Sequence, residues 1–179
     1  MKCFLNILFF LLISKVSISQ VAQSTVPVSV TLPEIALLDI EPDNSAIQLT
    51  INAPLEAGAS PTGNSITNAK FLNYSSAVVA GQKRSVYVQL DYGTVPTGIT
   101  IKLQANASSS GAGALGSSTG TISLSSVPQK IISGIGGAYT GNGINQGHGL
   151  NYTLEVNQVG LLDFNQSTTL GVIYTLLDN

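Results

Sequence analysis

The feature that most restricts the fold of this chain is a strict alternation of apolar and polar side chains. Residues 150–156 carry apolar side chains at every second position with polar ones between them: Leu150, Tyr152, Leu154 and Val156 against Asn151, Thr153 and Glu155. Residues 170–176 and 99–107 repeat the pattern. Because successive side chains of a strand point to opposite faces, each segment has one face for a core and one for solvent.

The same period recurs at residues 26–32, 47–51 and 84–92, with turn residues between the segments, and no window has sustained helical periodicity. We therefore predict an all-β fold, an antiparallel immunoglobulin-like β-sandwich of roughly eight to ten strands. A closed barrel is the competing all-β form. Residues 108–120 contain only Ser, Gly, Ala, Thr and Leu115, which predicts a flexible loop.

The N-terminus has the features of a secretory leader. Lys2 precedes a mostly apolar run at residues 4–13, and Ser17 and Ser19 are small residues placed for a cleavage before Gln20. The run is shorter than the ~20 residues of a transmembrane helix. We therefore predict a signal peptide at residues 1–19 and a single domain at residues 20–179. We expect a secreted protein of the periplasm, the cell surface or the medium, without a transmembrane segment in the mature chain.

Charge and cysteine content exclude several classes of partner and bond. The chain has seven Lys and Arg residues, of which Lys2 and Lys15 lie in the leader, so five remain against nine Asp and Glu. This mildly acidic balance argues against nucleic acid or an anionic membrane as partner. The only cysteine, Cys3, also lies in the leader, so the mature chain has no disulfide of its own.

Nothing in the sequence indicates catalysis or a cofactor. Residues 116–120 match the G-x-S-x-G string around Ser118, but no acidic residue lies between Ser118 and His148, the single histidine. His148 is predicted to be an exposed turn residue, because it lies near the end of a glycine-rich run at residues 134–149, just before a strand. We read that run as a long loop, since it lacks the spacing of a phosphate cradle. We therefore predict a protein that is not an enzyme and needs no cofactor.

Two groups of residues are weak candidates for binding. Asp39, Glu41 and Asp43 would place three carboxylates on one face of a strand, a candidate site for a hard cation such as calcium. The alternative is a solvated strand end. Tyr92 and Tyr139 lie in or beside loops and could stack on a sugar ring. They carry the alternative function, a secreted carbohydrate- or ligand-binding module.

Four pieces of the chain are similar to those of bacterial fimbrial subunits, including spore-coat-U-like proteins. They are the leader, the segment Val26-Pro27-Val28-Ser29-Val30, the segment Leu150-Asn151-Tyr152-Thr153-Leu154 and the closing strand Val172-Ile173-Tyr174-Thr175-Leu176. The resemblance implies an exported, non-catalytic structural or adhesive surface protein whose partners are copies of itself or other surface subunits. It also implies a donor strand that completes a neighbour's sheet, formed here by Val26, Val28, Val30 and Leu32. The same residues could instead be the first strand of a self-contained sandwich, which we expect.

Overall fold

A computed structural model describes residues 22–163 and 166–179. The chain divides into two units, Met1–Leu32 and Pro33–Asn179, and every strand of the described residues lies in the second. The second unit begins at Pro33, and the single domain predicted at residues 20–179 stays a prediction. The predicted signal peptide, residues 1–19, lies outside the described residues. Within those residues, no helix has the length and apolarity needed to cross a membrane.

The described residues of Pro33–Asn179 form strands joined by loops, with one short 3₁₀ helix at Val159–Leu161. The strands are β1 (Ile35–Glu41), β2 (Ile51–Asn52), β3 (Thr62–Gly63), β4 (Ser65–Ala77), β5 (Arg84–Tyr92), β6 (Ile99–Ser108), β7 (Ala112–Ser118), β8 (Thr121–Ser123), β9 (Gln129–Tyr139), β10 (His148–Val156) and β11 (Gly171–Asp178). Every strand pair is antiparallel. The predicted all-β antiparallel fold is confirmed, with slightly more strands than expected.

The strand order gives the domain two layers. The main path runs β11-β5-β9-β4-β10-β6-β8, while β1 adds to β4 and β7 adds to β9. One layer is thus β11-β5-β9-β7, and the other is β1-β4-β10-β6-β8. The layers join where the long strand β4 changes partner: its first part pairs with β10, and Ser75 and Ser76 pair with β9. The result is a sandwich-like arrangement, open at both ends of the path.

The core lies between the layers and is built from the alternating segments. Its fully buried apolar side chains come from five central strands: Leu72, Val86, Leu103, Ile131, Ile132, Ile135 and Leu150. Each such side chain contributes about 1.5–3 kcal/mol relative to full exposure. The predicted strands at residues 84–92, 99–107 and 150–156 are therefore where the pattern places them.

The prediction of a flexible loop at residues 108–120 is wrong, because β7 lies there and pairs with β9. The predicted loop at residues 134–149 is wrong in its first part, which continues β9 to Tyr139. Glycine allows the two strands to approach closely. A side chain on Gly113, whose φ is +89°, would place its Cβ 2.2 Å from the carbonyl oxygen of Gly137. The pairing of β7 with β9 therefore depends on close contact between the two backbones. Such contact requires small residues and does not require alternating apolar side chains, so the sequence of β7 has no strand pattern.

The expected first strand at residues 26–32 is also wrong. Residues 22–34 belong to no strand, and the sheet begins with β1. The first unit therefore supplies none of the described strands, and the self-contained reading of residues 26–32 loses its support.

Candidate functional site

The first and last long strands of the domain are both edge strands. Among the described residues β1 pairs only with β4, and β11 pairs only with β5. The two strands nevertheless come within 8 Å of each other between Cα atoms. We call the gap between β1 and β11 the seam. Its two sides present backbone N–H and C=O groups without a strand partner, the usual template for an added strand.

The seam leaves part of the core uncovered. The core-facing side chains on its two sides pack against the core yet are only partly buried: Leu38 and Ile40 on β1, and Val172, Tyr174 and Leu176 on β11. On the neighbouring strands β4 and β5, by contrast, Leu72 and Val86 are fully buried. One further strand added to an edge, beyond the point where β1 and β11 approach each other, would cover these apolar side chains.

The outer rims of the seam are apolar as well. Ile35 and Leu37 on β1 are 39% and 65% exposed, and Ile173 and Leu177 on β11 are 42% and 46% exposed. These apolar side chains lie beside strand edges that have no strand partner, although Asp39 on the same face of β1 is charged and exposed.

Beneath the seam, two tyrosines meet through their hydroxyl groups. Tyr174 of β11 contacts Tyr152 of β10, which joins the two layers at this point. Burial raises the pKa of both phenols, so each stays protonated at neutral pH. The floor of the seam is therefore an uncharged surface suited to apolar side chains.

The predicted donor residues are exposed. Val26, Val28, Val30 and Leu32 are 76–88% exposed and lie in no strand. Four aliphatic side chains at alternate positions are an unusual surface to leave in water. Residues 26–32 span seven positions, the length of β1, and β11 has eight residues.

The three candidate metal ligands do not form a shared site. Asp43 lies in the turn after β1, where its Oδ1 is 2.8 Å from Nζ of the buried Lys70. This hydrogen bond, with those from Ser45, holds the pKa of Asp43 well below its usual value. Asp39 Oδ1 accepts a hydrogen bond from its neighbouring backbone, at Ile40 N. Among the described residues, no group of three His, Cys, Asp or Glu side chains is placed to hold a metal ion.

Tyr92 and Tyr139 are each 58% exposed, yet they do not share one platform. Arg84 pairs with Ile135 across β5 and β9. From that pair Tyr92 lies about 25 Å away along β5, at ~3.3 Å per residue, and Tyr139 lies in the opposite direction along β9. Tyr139 lines a shallow cavity of about 380 Å³, whose walls include Ser75, Ala112 and Gly113. Tyr92 does not line this cavity.

The prediction that His148 is an exposed turn residue is wrong. It is the first residue of β10 and is fully buried. Its Nδ1 lies 2.8 Å from the carbonyl oxygen of Asn106, and burial lowers its pKa. Extending the alternation Leu150, Tyr152, Leu154 back by two positions reaches His148, but the pairing with β6 shifts register there and Gly149 is buried too, so the period alone does not place this ring inside.

The polar outward face of β10 continues onto its neighbours. A cavity of about 300 Å³ is lined by Lys102, Gln104, Thr121, Asn151, Thr153 and Glu155. Lys102 Nζ lies 2.7 Å from Glu155, and Asn151 Nδ2 donates to Asn106 Oδ1 at 2.8 Å. These groups bind one another, as on a solvated sheet face. Ser118 lies in β7, where its Oγ accepts a hydrogen bond from Gly120 N, a placement unlike that of an activated nucleophile.

The segments behind the fimbrial resemblance lie in different parts of the chain, and residues 150–154 belong to β10. Residues 172–176 are the core of β11 and form one side of the seam, while residues 26–30 are the exposed N-terminal segment. Comparison with known proteins adds nothing to this: no protein-family model, no curated protein and no solved structure matches the chain. The family therefore stays a prediction.

Proposed function

We propose that this protein is an exported, non-catalytic structural subunit that assembles with copies of itself. In the assembly, residues 26–32 of one copy lie as a strand in the seam of another. The observation that carries the proposal is the combination of an uncovered seam and an exposed apolar segment in the same chain. The leader predicted at residues 1–19 supports export to the cell surface.

The match between segment and seam supports the proposal in three ways. The segment has the length of β1. Its apolar residues alternate, as a strand needs when one face covers a core and the other meets solvent. Its intervening residues Pro27, Ser29 and Thr31 suit the outer face. Pro27 cannot donate a hydrogen bond, which is tolerated near a strand start.

The experiment is sizing of the mature chain by chromatography with light scattering over a range of concentrations. We expect oligomers that grow with concentration, and monomers when residues 20–32 are removed. Val28→Asp with Val30→Asp should also abolish assembly, because the charges would enter the core of the neighbour. Ser29→Asp with Thr31→Asp is the matched control, since these side chains face outward and assembly should persist. A full-length chain that is monomeric throughout, with a truncated chain that unfolds, would overturn the proposal.

A second candidate function is a secreted ligand-binding module, and the cavity beside Tyr139 favours it. The cavity is lined by the exposed aromatic ring of Tyr139 together with Gly113, Gly137 and Ser75, and such a ring can stack on a sugar ring. A glycan array would test it: binding should disappear with Tyr139→Ala and persist with Tyr92→Ala, which lies far from the cavity. A blank array would exclude this function.

A further inference from the structure

One end of the seam is closed by a buried arginine. Arg84, the first residue of β5, is only 4% exposed. Its Nε donates to Asp178 Oδ1 at 2.6 Å, at the end of β11, and its Nη1 donates to the carbonyl oxygen of Ile35, the first residue of β1. Nη1 also lies 3.2 Å from the carbonyl oxygen of Ala77, at the end of β4. A single guanidinium therefore bridges both sides of the seam.

This arginine is held firmly. A buried guanidinium without acceptors is strongly disfavoured, and here a carboxylate and two backbone carbonyl oxygens satisfy it. Moving it aside would leave a buried charge unpaired. A strand lying in the seam can therefore run as far as Arg84 but cannot pass between Ile35 and Asp178 without breaking these bonds.

The alternation of residues 26–32 does not by itself fix the position of this segment along the seam. Apolar side chains at residues 26, 28, 30 and 32 keep their inward orientation if the strand slips by two residues, because the side-chain period of a strand is two. The pattern thus selects the face of the inserted strand and leaves its register open. We propose that Arg84 is a positioning residue that fixes one register of the inserted strand. This inference rests on the proposed function.

The register can be read by disulfide cross-linking in the full mature chain. Because the only native cysteine is Cys3 in the predicted leader, introduced cysteines are unique. Thr175→Cys on the outer face of β11 is combined in turn with Pro27→Cys, Ser29→Cys and Thr31→Cys. With Arg84 present, we expect one of the three pairs to cross-link between copies about tenfold faster than the others, which corresponds to ~1.4 kcal/mol.

The same set is then measured with Arg84→Met, which keeps the length of the side chain and removes its charge. We expect the rates of two or more pairs to become similar. Asp178→Asn is the second variant, because Asp178 is mostly exposed and Arg84 keeps its carbonyl acceptors, so folding should persist. Asp178→Asn should also make the cross-linking rates of the three pairs more similar.

The outcomes separate the two proposals. One dominant pair that persists unchanged in both variants overturns the positioning role and leaves the proposed function intact. Absence of every cross-link between copies, in a chain that remains monomeric, overturns the proposed function and this inference with it. One dominant pair that gives way to several in the variants supports both.

Discussion

His148 Nε2 lies 2.9 Å from the hydroxyl oxygen of Tyr74, and the two rings stack with centroids 5.6 Å apart in the core. The Tyr74 hydroxyl also donates to the carbonyl oxygen of Leu115, and His148 Nδ1 faces the carbonyl oxygen of Asn106. Both carbonyl groups only accept, so the three contacts need three protons. A neutral histidine and a tyrosine supply two, whereas an imidazolium would supply the third at the cost of a buried charge.

The burial of His148, which outweighs these hydrogen bonds, predicts that stability falls as pH is lowered below neutrality. Burial lowers the pKa of His148 from its usual 6.5, so the unfolded chain binds a proton that the folded chain does not. The contribution of neutral His148 is complete above pH 6.5 and is lost as pH falls through the window beneath it. Urea denaturation between pH 7.5 and 5 should show a loss of up to about 1.4 kcal/mol per pH unit.

The control for this prediction is His148→Gln, which keeps a neutral hydrogen-bonding side chain. Because His148 is the only histidine, the slope between pH 7.5 and 5 should largely disappear in the variant. The same slope in both proteins would contradict the assignment to His148.

The ion pair of Lys70 and Asp43 predicts a second loss of stability at more acidic pH. The lowered pKa of Asp43 means that its carboxylate stabilises the fold above its usual pKa of 3.8, and this stabilisation is lost as pH falls below that value. Asp43→Asn should therefore lower the urea midpoint at pH 7 and flatten the acid limb. Asp39→Asn is the matched control, because its carboxylate accepts only from the adjacent backbone in the described contacts. Equal midpoints for the two variants would contradict the role of Asp43.

The predictability of each strand follows from what holds it in place. β5 and β6 are predicted almost to the residue, because Val86, Val88 and Leu103 alternate and are buried. β7 could not be predicted, because its pairing with β9 depends on close backbone approach at glycine. No local pattern marks that contact.

Part of the candidate site can likewise be predicted from the sequence, and part cannot. The alternation of residues 26–32 and of β11 is local and visible in the sequence. The seam is a relation between β1 and β11, which lie at opposite ends of the β-domain, and only the fold brings them together. Arg84 likewise takes its partners from residues distant in sequence, Ile35 and Asp178. In the sequence, nothing around Arg84 indicates that its side chain is buried and bridges β1 and β11.

The β7–β9 pairing gives a prediction of its own. Gly113→Ala should destabilise the domain by more than the ~1–2 kcal/mol that a left-handed backbone costs, because its Cβ would also meet the Gly137 carbonyl. Gly120→Ala is the control: its φ is +100°, and none of the described atoms lies within 4 Å of the added Cβ. Denaturation midpoints should rank the wild type first, Gly120→Ala second and Gly113→Ala last. Equal effects of the two substitutions would indicate that residues 112–118 are not paired.

The seam predicts that one substitution affects assembly more than folding. Leu103→Ala removes a fully buried side chain and should cost the isolated copy about 2–5 kcal/mol, through lost burial and a cavity. Leu176→Ala removes a side chain that the seam leaves partly exposed, so its cost to the isolated copy should be smaller.

In the assembly, Leu176 becomes covered by the inserted strand, and its loss should shift the concentration at which oligomers form. Thr175→Ala on the outer face of β11 is the matched control and should assemble like the wild type. Urea denaturation of dilute protein measures the first effect, and light scattering over a concentration series measures the second. If Leu176→Ala assembles as Thr175→Ala does, the core-facing side of β11 is not the surface that a second copy covers.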